Sequence, residues 1–294
     1  MTDKHGVCFF AYNNAQFDYI KLAVYAAKQV KKHLGLPVAL ITDHGGEGWL
    51  TQSHDSAVVD ENIDYIVISQ DELKNNVRGH FDSPWTEFRA QFNNSNKHRV
   101  FDYSPFDKTL LLDIDYLVRT NFLLYSVTFN DSPVVMFNDS LTLRNNPSHR
   151  NERWLWQHGI PMWWSTVIQF DKSETSKIFF DTWAHVAENY EYYQYLYNFP
   201  GKLFRTDYCV SIATHIMNGF KHGNAIDNFG VPIMNMSQKD DIIHCNTNEE
   251  WIYLAHDPKE PWKNILVNSG LTDIHVMNKR AMERAMDGNL VGIT

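Results

Sequence analysis

The chain reads as an α/β protein built around a mixed, mostly parallel sheet. Three observations predict this. Apolar runs of strand length recur along the sequence, bounded by turn residues. The first two of them flank a segment with helical spacing. That strand–helix–strand order is the Rossmann-like βαβ unit, whose two strands lie parallel. The length of 294 residues suits a single large domain, and one domain over 1–294 is the expectation.

The elements follow in order. Gly6–Tyr12 is the first expected strand, apolar on both faces, and Asn13-Asn14 ends it. Phe17–Leu34 is helical, because Ile20, Ala23, Val24, Ala27, Val30 and Leu34 recur three and four residues apart. Lys31, Lys32 and His33 fill its last turn, and Gly35 is the stop. Pro37–Thr42 and Tyr65–Ser69 are the next two strands. Pro84–Asn94 is expected as a helix with Pro in its first turn. Leu110–Val118 is a further strand, Val134–Phe137 another, and residues 138–164 are an irregular excursion rich in Asn, Arg and Trp. Thr166–Phe170 resumes the sheet. Ser173–Tyr197 is a helix capped by Ser173, and Thr206–Asn218 is a second, followed by Gly219. Ile274–Met277 is a late strand-like piece. There is no internal repeat and no low-complexity segment.

Within the strand at 110–118, Leu-Leu-Leu-Asp-Ile-Asp-Tyr-Leu-Val, two carboxylates interrupt an otherwise apolar run. Charges are not left unpaired in such a place. Residues two apart on a strand point the same way, so Asp113 and Asp115 converge where the strand leaves the core. A divalent cation with oxygen ligands is the natural guest, and open α/β sheets bind ligands at the carboxyl ends of their strands. The other reading of the pair is a surface turn or helix cap after a strand.

Composition narrows the rest. A hydrophobic fraction of 44% is ample for a core. Nine Trp and fourteen Tyr favour stacking on planar or sugar-like ligands, although such rings are also ordinary core filler. A formal charge of −9 argues against broad nonspecific nucleic-acid binding. Three cysteines, Cys8, Cys209 and Cys245, form no C-x-x-C pair, and Cys8 and Cys209 sit in apolar runs. Reduced thiols in a cytoplasmic protein are the expectation. Nothing in the sequence reads as a signal peptide or a membrane span.

The order of these signals, with His80-Phe-Asp-Ser-Pro-Trp85, Pro161-Met-Trp-Trp-Ser-Thr166 and Leu203-Phe-Arg-Thr-Asp207, resembles metal-dependent, glycogenin-like family 8 glycosyltransferases of the A-type fold, most of all those of tailed bacteriophages. The resemblance covers most of the chain. It implies a nucleotide-sugar-binding half at 1–120, an acceptor half at 121–294, and transfer of a sugar from a nucleoside diphosphate donor, UDP above all, to a hydroxyl. It implies that Asp113, Asp115 and the late His275 hold Mn²⁺ or Mg²⁺ against the donor diphosphate. Lys279 resembles the basic residue beside that histidine, although the family's Gly and Lys-Pro-Trp after it are missing here. Ala11, Tyr12 and Asn13 match the base and ribose region, and Asp43 a carboxylate for the same moiety; each is also ordinary turn chemistry. Arg89 is the first candidate and Lys97 the second for a basic residue on the diphosphate. Ser165 matches a donor-sugar contact. Asp207 matches a catalytic position at a helix start: a base if the enzyme inverts, a group orienting the donor if it retains.

The segment Arg144, His149, Arg150, Arg153, Trp154 and Trp156 interleaves cations with rings, as a nucleic-acid acceptor requires. The resemblance implies hydroxymethylcytosine in phage DNA as one acceptor, with glucose or arabinose as the sugar, and a saccharide as another. Two rival readings remain. An apolar run followed by Asp-x-Asp also describes the nucleophile strand of a haloacid-dehalogenase-type phosphatase, with Lys239-Asp-Asp241 as its later acidic motif. A non-catalytic sugar-binding module with structural Ca²⁺ is the other.

Overall fold

His5–Phe10 (β1) is buried along its middle four residues, as an apolar run between two layers must be. Asp18 caps Tyr19–His33 (α1), its side chain accepting from the Lys21 N–H, and Gly35 follows at φ +63, a conformation that costs glycine little. Val38–Thr42 (β2) and Tyr65–Ile68 (β3) extend the sheet, and His44–Ser53 (α2) lies between them. The computed structural model describes residues 4–53, 61–71, 76–92, 95–156, 159–201, 203–246, 250–257 and 259–287.

Val77–Phe81 (β4) and Glu87–Gln91 (β5) then form an antiparallel hairpin. The helix expected at 84–94 is therefore corrected, apart from residues 93 and 94, which lie outside the described residues. Pro84 sits in the hairpin's turn, and the outward and inward alternation of Glu87, Phe88, Arg89 and Ala90 is a strand period. His80 stacks on Phe88 inside the hairpin. Burial, with the charges of Lys279 and Arg78, pushes His80 down to about 3, so it is neutral at physiological pH.

A turn of helix at Val100–Tyr103 (α3) leads to Lys108–Leu112 (β6). The strand expected over 110–118 ends at Leu112. The backbone turns there, with the Tyr116 N–H bonded to the Asp113 carbonyl at 3.0 Å, and resumes as Tyr116–Leu117 (β7) in a different sheet. Phe122–Phe129 (α4), Val134–Phe137 (β8) and Ser140–Thr142 (β9) follow. Trp154–Leu155 (β10) pairs Ile160–Pro161 (β11), and Trp164–Asp171 (β12) re-enters the main sheet. One helix was expected over 173–197; there are two, Glu174–Glu188 (α5) and Tyr190–Tyr197 (α6), broken at Asn189. Thr206–Met217 (α7) ends before Gly219, which has φ +67. Asp227–Asn228 (β13), Ile233–Met236 (β14), Asp241–Cys245 (β15), Trp251–Ala255 (β16), Ile265–Asn268 (β17), Ile274–Val276 (β18) and Lys279–Met286 (α8) complete the order.

The main sheet runs β13-β8-β12-β6-β1-β2-β3, and β12 is the strand antiparallel to its neighbours. The mixed, mostly parallel sheet expected from the sequence is present. Its two faces carry separate cores. Val7, Phe9, Leu110 and Leu112 pack with Ile20, Ala23, Ala27 and Val30 of α1. Cys8, Leu111 and Ile168 pack with Phe179 and Trp183 of α5 and with Val210 and Ile212 of α7. A second sheet, β7-β18-β14-β9, stands beyond the carboxyl end of β6. Cys8, Cys209 and Cys245 are free thiols, the first two buried. Among the described residues no helix is long and apolar enough to cross a membrane.

A Cβ on Gly6 would overlap the ring of Phe106. Gly6→Ala should therefore destabilise the protein by about 1–3 kcal/mol through overpacking of β1. Urea unfolding should show a lower midpoint and an unchanged slope.

Candidate functional site

The end of β6 fixes the geometry of the site. The Asp113 N–H bonds the Thr166 carbonyl at 2.8 Å, the last link to β12 before the chain turns away. The Val276 N–H bonds the Asp115 carbonyl at 2.7 Å, and β18 pairs β7 so that His275 stands opposite Tyr116. A histidine far along the chain is thus pinned beside the acidic turn. Ligand atoms of Asp113, Asp115 and His275 all lie within 4.8 Å of one another.

The donor set suits a divalent ion. His275 Nδ1 lies 3.1 Å from Asn235 Oδ1, a contact that fixes the ring. Its Nε2 faces Asp115 Oδ1 at 3.6 Å. An imidazole nitrogen and a carboxylate oxygen set this close are a pair that a cation can share. Two carboxylates and one imidazole are ligands that a borderline divalent ion accepts.

Each carboxylate also has a lysine. Lys97 Nζ lies 2.6 Å from Asp113 Oδ1 and donates to the Ser165 carbonyl at 2.6 Å. Lys279 Nζ pairs with Asp115 Oδ2. It is set there by α8, whose N-cap Asn278 accepts from the Ala281 N–H. Burial raises Asp113, outweighing the pull of Lys97, and the charge of Asp115 adds to the rise. Burial works the same way on Asp115, but Lys279 and His275 overcome it and hold this carboxyl far below the usual carboxylate range.

Asp207 sits in the first turn of α7, where the helix dipole favours a carboxylate. Its Oδ1 accepts from the Ser165 N–H at 3.0 Å and the Ser165 hydroxyl at 2.9 Å, and its Oδ2 lies 3.3 Å from Arg205 Nη2. Burial alone would raise it; Arg205 and Ser165 outweigh burial and hold it below its ordinary value. Ser165 therefore links the Lys97–Asp113 pair to the Arg205–Asp207 pair.

These groups line one cavity of about 500 Å³. Of the residues expected from the sequence, Ala11, Tyr12, Lys97, Asp113, Asp115, Ser165, Asp207, His275 and Lys279 come together in it. Asn13, Asp43 and Arg89 do not line it. Asn13 accepts from the Ile20 N–H at 2.8 Å and donates to Asp18 Oδ1 at 3.1 Å, which fixes the approach to α1. Asp43 accepts from the Gly46 N–H at 2.7 Å in the first turn of α2. Arg89 is exposed on the outer face of the hairpin. Arg144, His149, Arg150, Arg153, Trp154 and Trp156 are also outside the cavity wall. Arg144 donates to the carbonyls of Ala255 and Lys263, and Arg153 Nε pairs with Asp139 Oδ1 at 2.8 Å. Trp156 stands at φ +47.

The sequence reading missed Arg78, Glu152, Arg205 and Lys239, all of which line the cavity. Arg205, Glu152 and Lys239 lay inside segments already singled out, Lys239 for the rival phosphatase motif. Arg78 carried no local signal, since the hairpin brings it in.

No protein-family model matches the chain, and no curated sequence matches it. Among solved structures the chain is similar to the galactosyltransferase LgtC, determined with donor and acceptor sugar analogues. The TM-score is 0.50 at 13% identity, over 98% of this chain and 97% of that one. The glycosyltransferase GlyE of Streptococcus pneumoniae aligns at a TM-score of 0.45 and 14% identity, over 77% of this chain; the chain spans 45% of GlyE. Mouse xyloside xylosyltransferase 1 aligns at 0.42 and 10% identity, over 74% of this chain and 84% of that one. The full-length match to LgtC establishes the fold: this chain has the A-type glycosyltransferase fold.

The Asp115–Lys279 pair gives a stability prediction with a definite sign. Lys279→Met leaves a buried carboxylate unpaired and should cost about 3–5 kcal/mol near pH 7. The folded-state value of Asp115 is depressed, so its contribution is present above the unfolded carboxylate value, about 3.9, and is lost as pH falls through the folded value. Urea titrations of variant and parent should converge as pH drops below about 4.

Proposed function

We propose that this protein is a metal-dependent glycosyltransferase that moves a sugar from a nucleoside diphosphate donor, UDP-linked, to a hydroxyl acceptor. The observation that carries the reading is the Asp113–Asp115–His275 cluster at the carboxyl edge of the sheet, opening on the cavity of a chain with this fold. The three side chains would hold the ion, and its mixed oxygen and imidazole set favours Mn²⁺. A bound divalent ion would neutralise the charge that develops on the leaving diphosphate.

The cations of the cavity divide by pairing. Lys97, Lys279 and Arg205 each face a carboxylate. Arg78 and Lys239 line the cavity over the rings of Phe92 and Phe81 and, among the described residues, make no ion pair. Phosphate oxygens are the partners that suit two such cations. Lys97, buried and doubly engaged, serves the acidic turn in this reading and not the diphosphate directly.

Asp207 orients the donor sugar. Both of its oxygens already have partners, and its depressed protonation range makes it a weak base. This favours the retaining outcome over the inverting one.

The acceptor is a saccharide in this reading and not hydroxymethylated DNA. Arg144 turns to two carbonyls and Arg153 to Asp139, and no cation of the 144–156 segment lines the cavity. The phosphatase reading loses its later acidic motif: Asp240 accepts from the Ser237 and His256 N–H groups, and Asp241 pairs with Arg284.

Assays of UDP release from UDP-galactose, UDP-glucose and UDP-arabinose should find Mn²⁺-dependent turnover of one donor, abolished by chelation and restored by added ion. Asp113→Asn should lower that turnover by about a hundredfold or more, with the far-ultraviolet circular dichroism retained. Undiminished turnover in Asp113→Asn would break the assignment, and phosphate release from Asp113 after covalent trapping would revive the phosphatase.

A further inference from the structure

Four carboxylates line the cavity: Asp113, Asp115, Glu152 and Asp207. Three are matched, to Lys97, Lys279 and Arg205. Glu152 is the one that makes no ion pair among the described residues. It ends the 3-10 turn Arg150–Glu152, on the segment between the second sheet and β10. The turn is held on both sides. The Glu152 N–H bonds the His149 carbonyl at 2.8 Å, and the Arg153 N–H bonds the Arg150 carbonyl at 3.1 Å. Arg153 is fixed in turn to Asp139, its carbonyl accepts the Met162 N–H at 3.0 Å, and Leu155 just beyond is fully buried. A carboxylate on so anchored a turn is pre-organised. It shares the cavity wall with Asp207 and with His275. Burial lifts it above its usual value, outweighing the Ser148 hydroxyl and the charges of Arg205, His149 and His275.

A fixed carboxylate with no ion pair keeps acceptor capacity for further donors, and it repels phosphate. Hydroxyl groups supply such donors without adding charge. We infer that Glu152 is the acceptor-binding residue: its carboxylate accepts hydrogen bonds from hydroxyls of a neutral saccharide that neighbour the attacking one, and it excludes polyanionic acceptors. The inference rests on the glycosyl-transfer reading. In the reaction the attacking hydroxyl oxygen bonds the anomeric carbon, the bond from that carbon to the diphosphate oxygen breaks, and the diphosphate leaves with the electron pair. The proton of the attacking hydroxyl goes to that leaving diphosphate oxygen, and Glu152 orients the acceptor through its neighbouring hydroxyls without taking a proton.

The test uses the full chain with Mn²⁺, its working UDP-sugar, a panel of p-nitrophenyl glycosides and a hydroxymethylcytosine duplex. The parent should glycosylate at least one glycoside and not the duplex. In Glu152→Gln and Glu152→Ala the acceptor KM should rise about tenfold or more, the loss expected of a hydrogen bond to a charged group. The donor KM should move less than twofold, and the partition between transfer and donor hydrolysis should shift toward hydrolysis. An unchanged acceptor KM, a donor KM that rises in step with it, or transfer to the duplex and to no glycoside would each overturn the inference. A parent that binds no UDP in the presence of Mn²⁺ by calorimetry would overturn the underlying reading along with it, so the two failures are distinct.

Discussion

Two carboxylates held together at the edge of an apolar sheet must be neutralised, and this constraint organises the site. Burial disfavours both charges, and each charge disfavours the other. Lys97 and Lys279 answer this from opposite sides, one on Asp113 and one on Asp115. A divalent ion and a diphosphate would satisfy the same electrostatics in a different way. With five basic and four acidic side chains on the cavity wall, an ion alone leaves excess positive charge, and an anionic diphosphate offsets it.

Meeting that constraint requires the chain to bring distant segments to one place. Lys279 and Asp115 are 164 residues apart in sequence. Backbone pairing does this work. β18 is parallel to β14 and antiparallel to β7, and the Arg119 and Thr120 N–H groups hold Asp273 just ahead of it at 2.7 and 2.8 Å. Asn278 then starts α8 and aims Lys279 inward. On the other side, Ser165 joins Lys97 to Asp207 through its carbonyl, its N–H and its hydroxyl. The small side chain at the start of β12 is what lets the metal side and the Asp207 side share one scaffold.

Much of this was readable in the sequence where the pattern is local. The runs at Val38–Thr42 and Val134–Phe137 are buried at every position, so an unbroken apolar stretch announced them. Gly35, Ser173 and Gly219 mark helix ends by their own chemistry. The hairpin at 77–91 was misread because Pro84 was taken for a helix start, and the alternation in Glu87–Gln91 was too short to outvote it. Asn189 breaks a helix whose apolar spacing continues on both sides, so no periodicity signals the break. In the site, Asp113 and Asp115 stood out as charges after an apolar strand, and His275 and Asp207 were picked out by the family resemblance; the fold brings all four to one cavity. Lys97 was read from the sequence as a candidate for the diphosphate, and in the structure it lies on Asp113. Its burial and its bond to Asp113 depend on the one-turn helix that follows it, which no spacing reveals. Arg78 and Glu152 enter on a hairpin and a 3-10 turn, both products of tertiary structure.

The central claim is that the acidic turn and His275 grip one divalent ion. Anomalous diffraction from crystals grown with Mn²⁺ and UDP tests it most directly. The account predicts a single strong peak within bonding distance of Asp113, Asp115 and His275 Nε2, with the diphosphate on the same ion. A peak elsewhere, with both carboxylates still closed on Lys97 and Lys279 while UDP is bound, would contradict it.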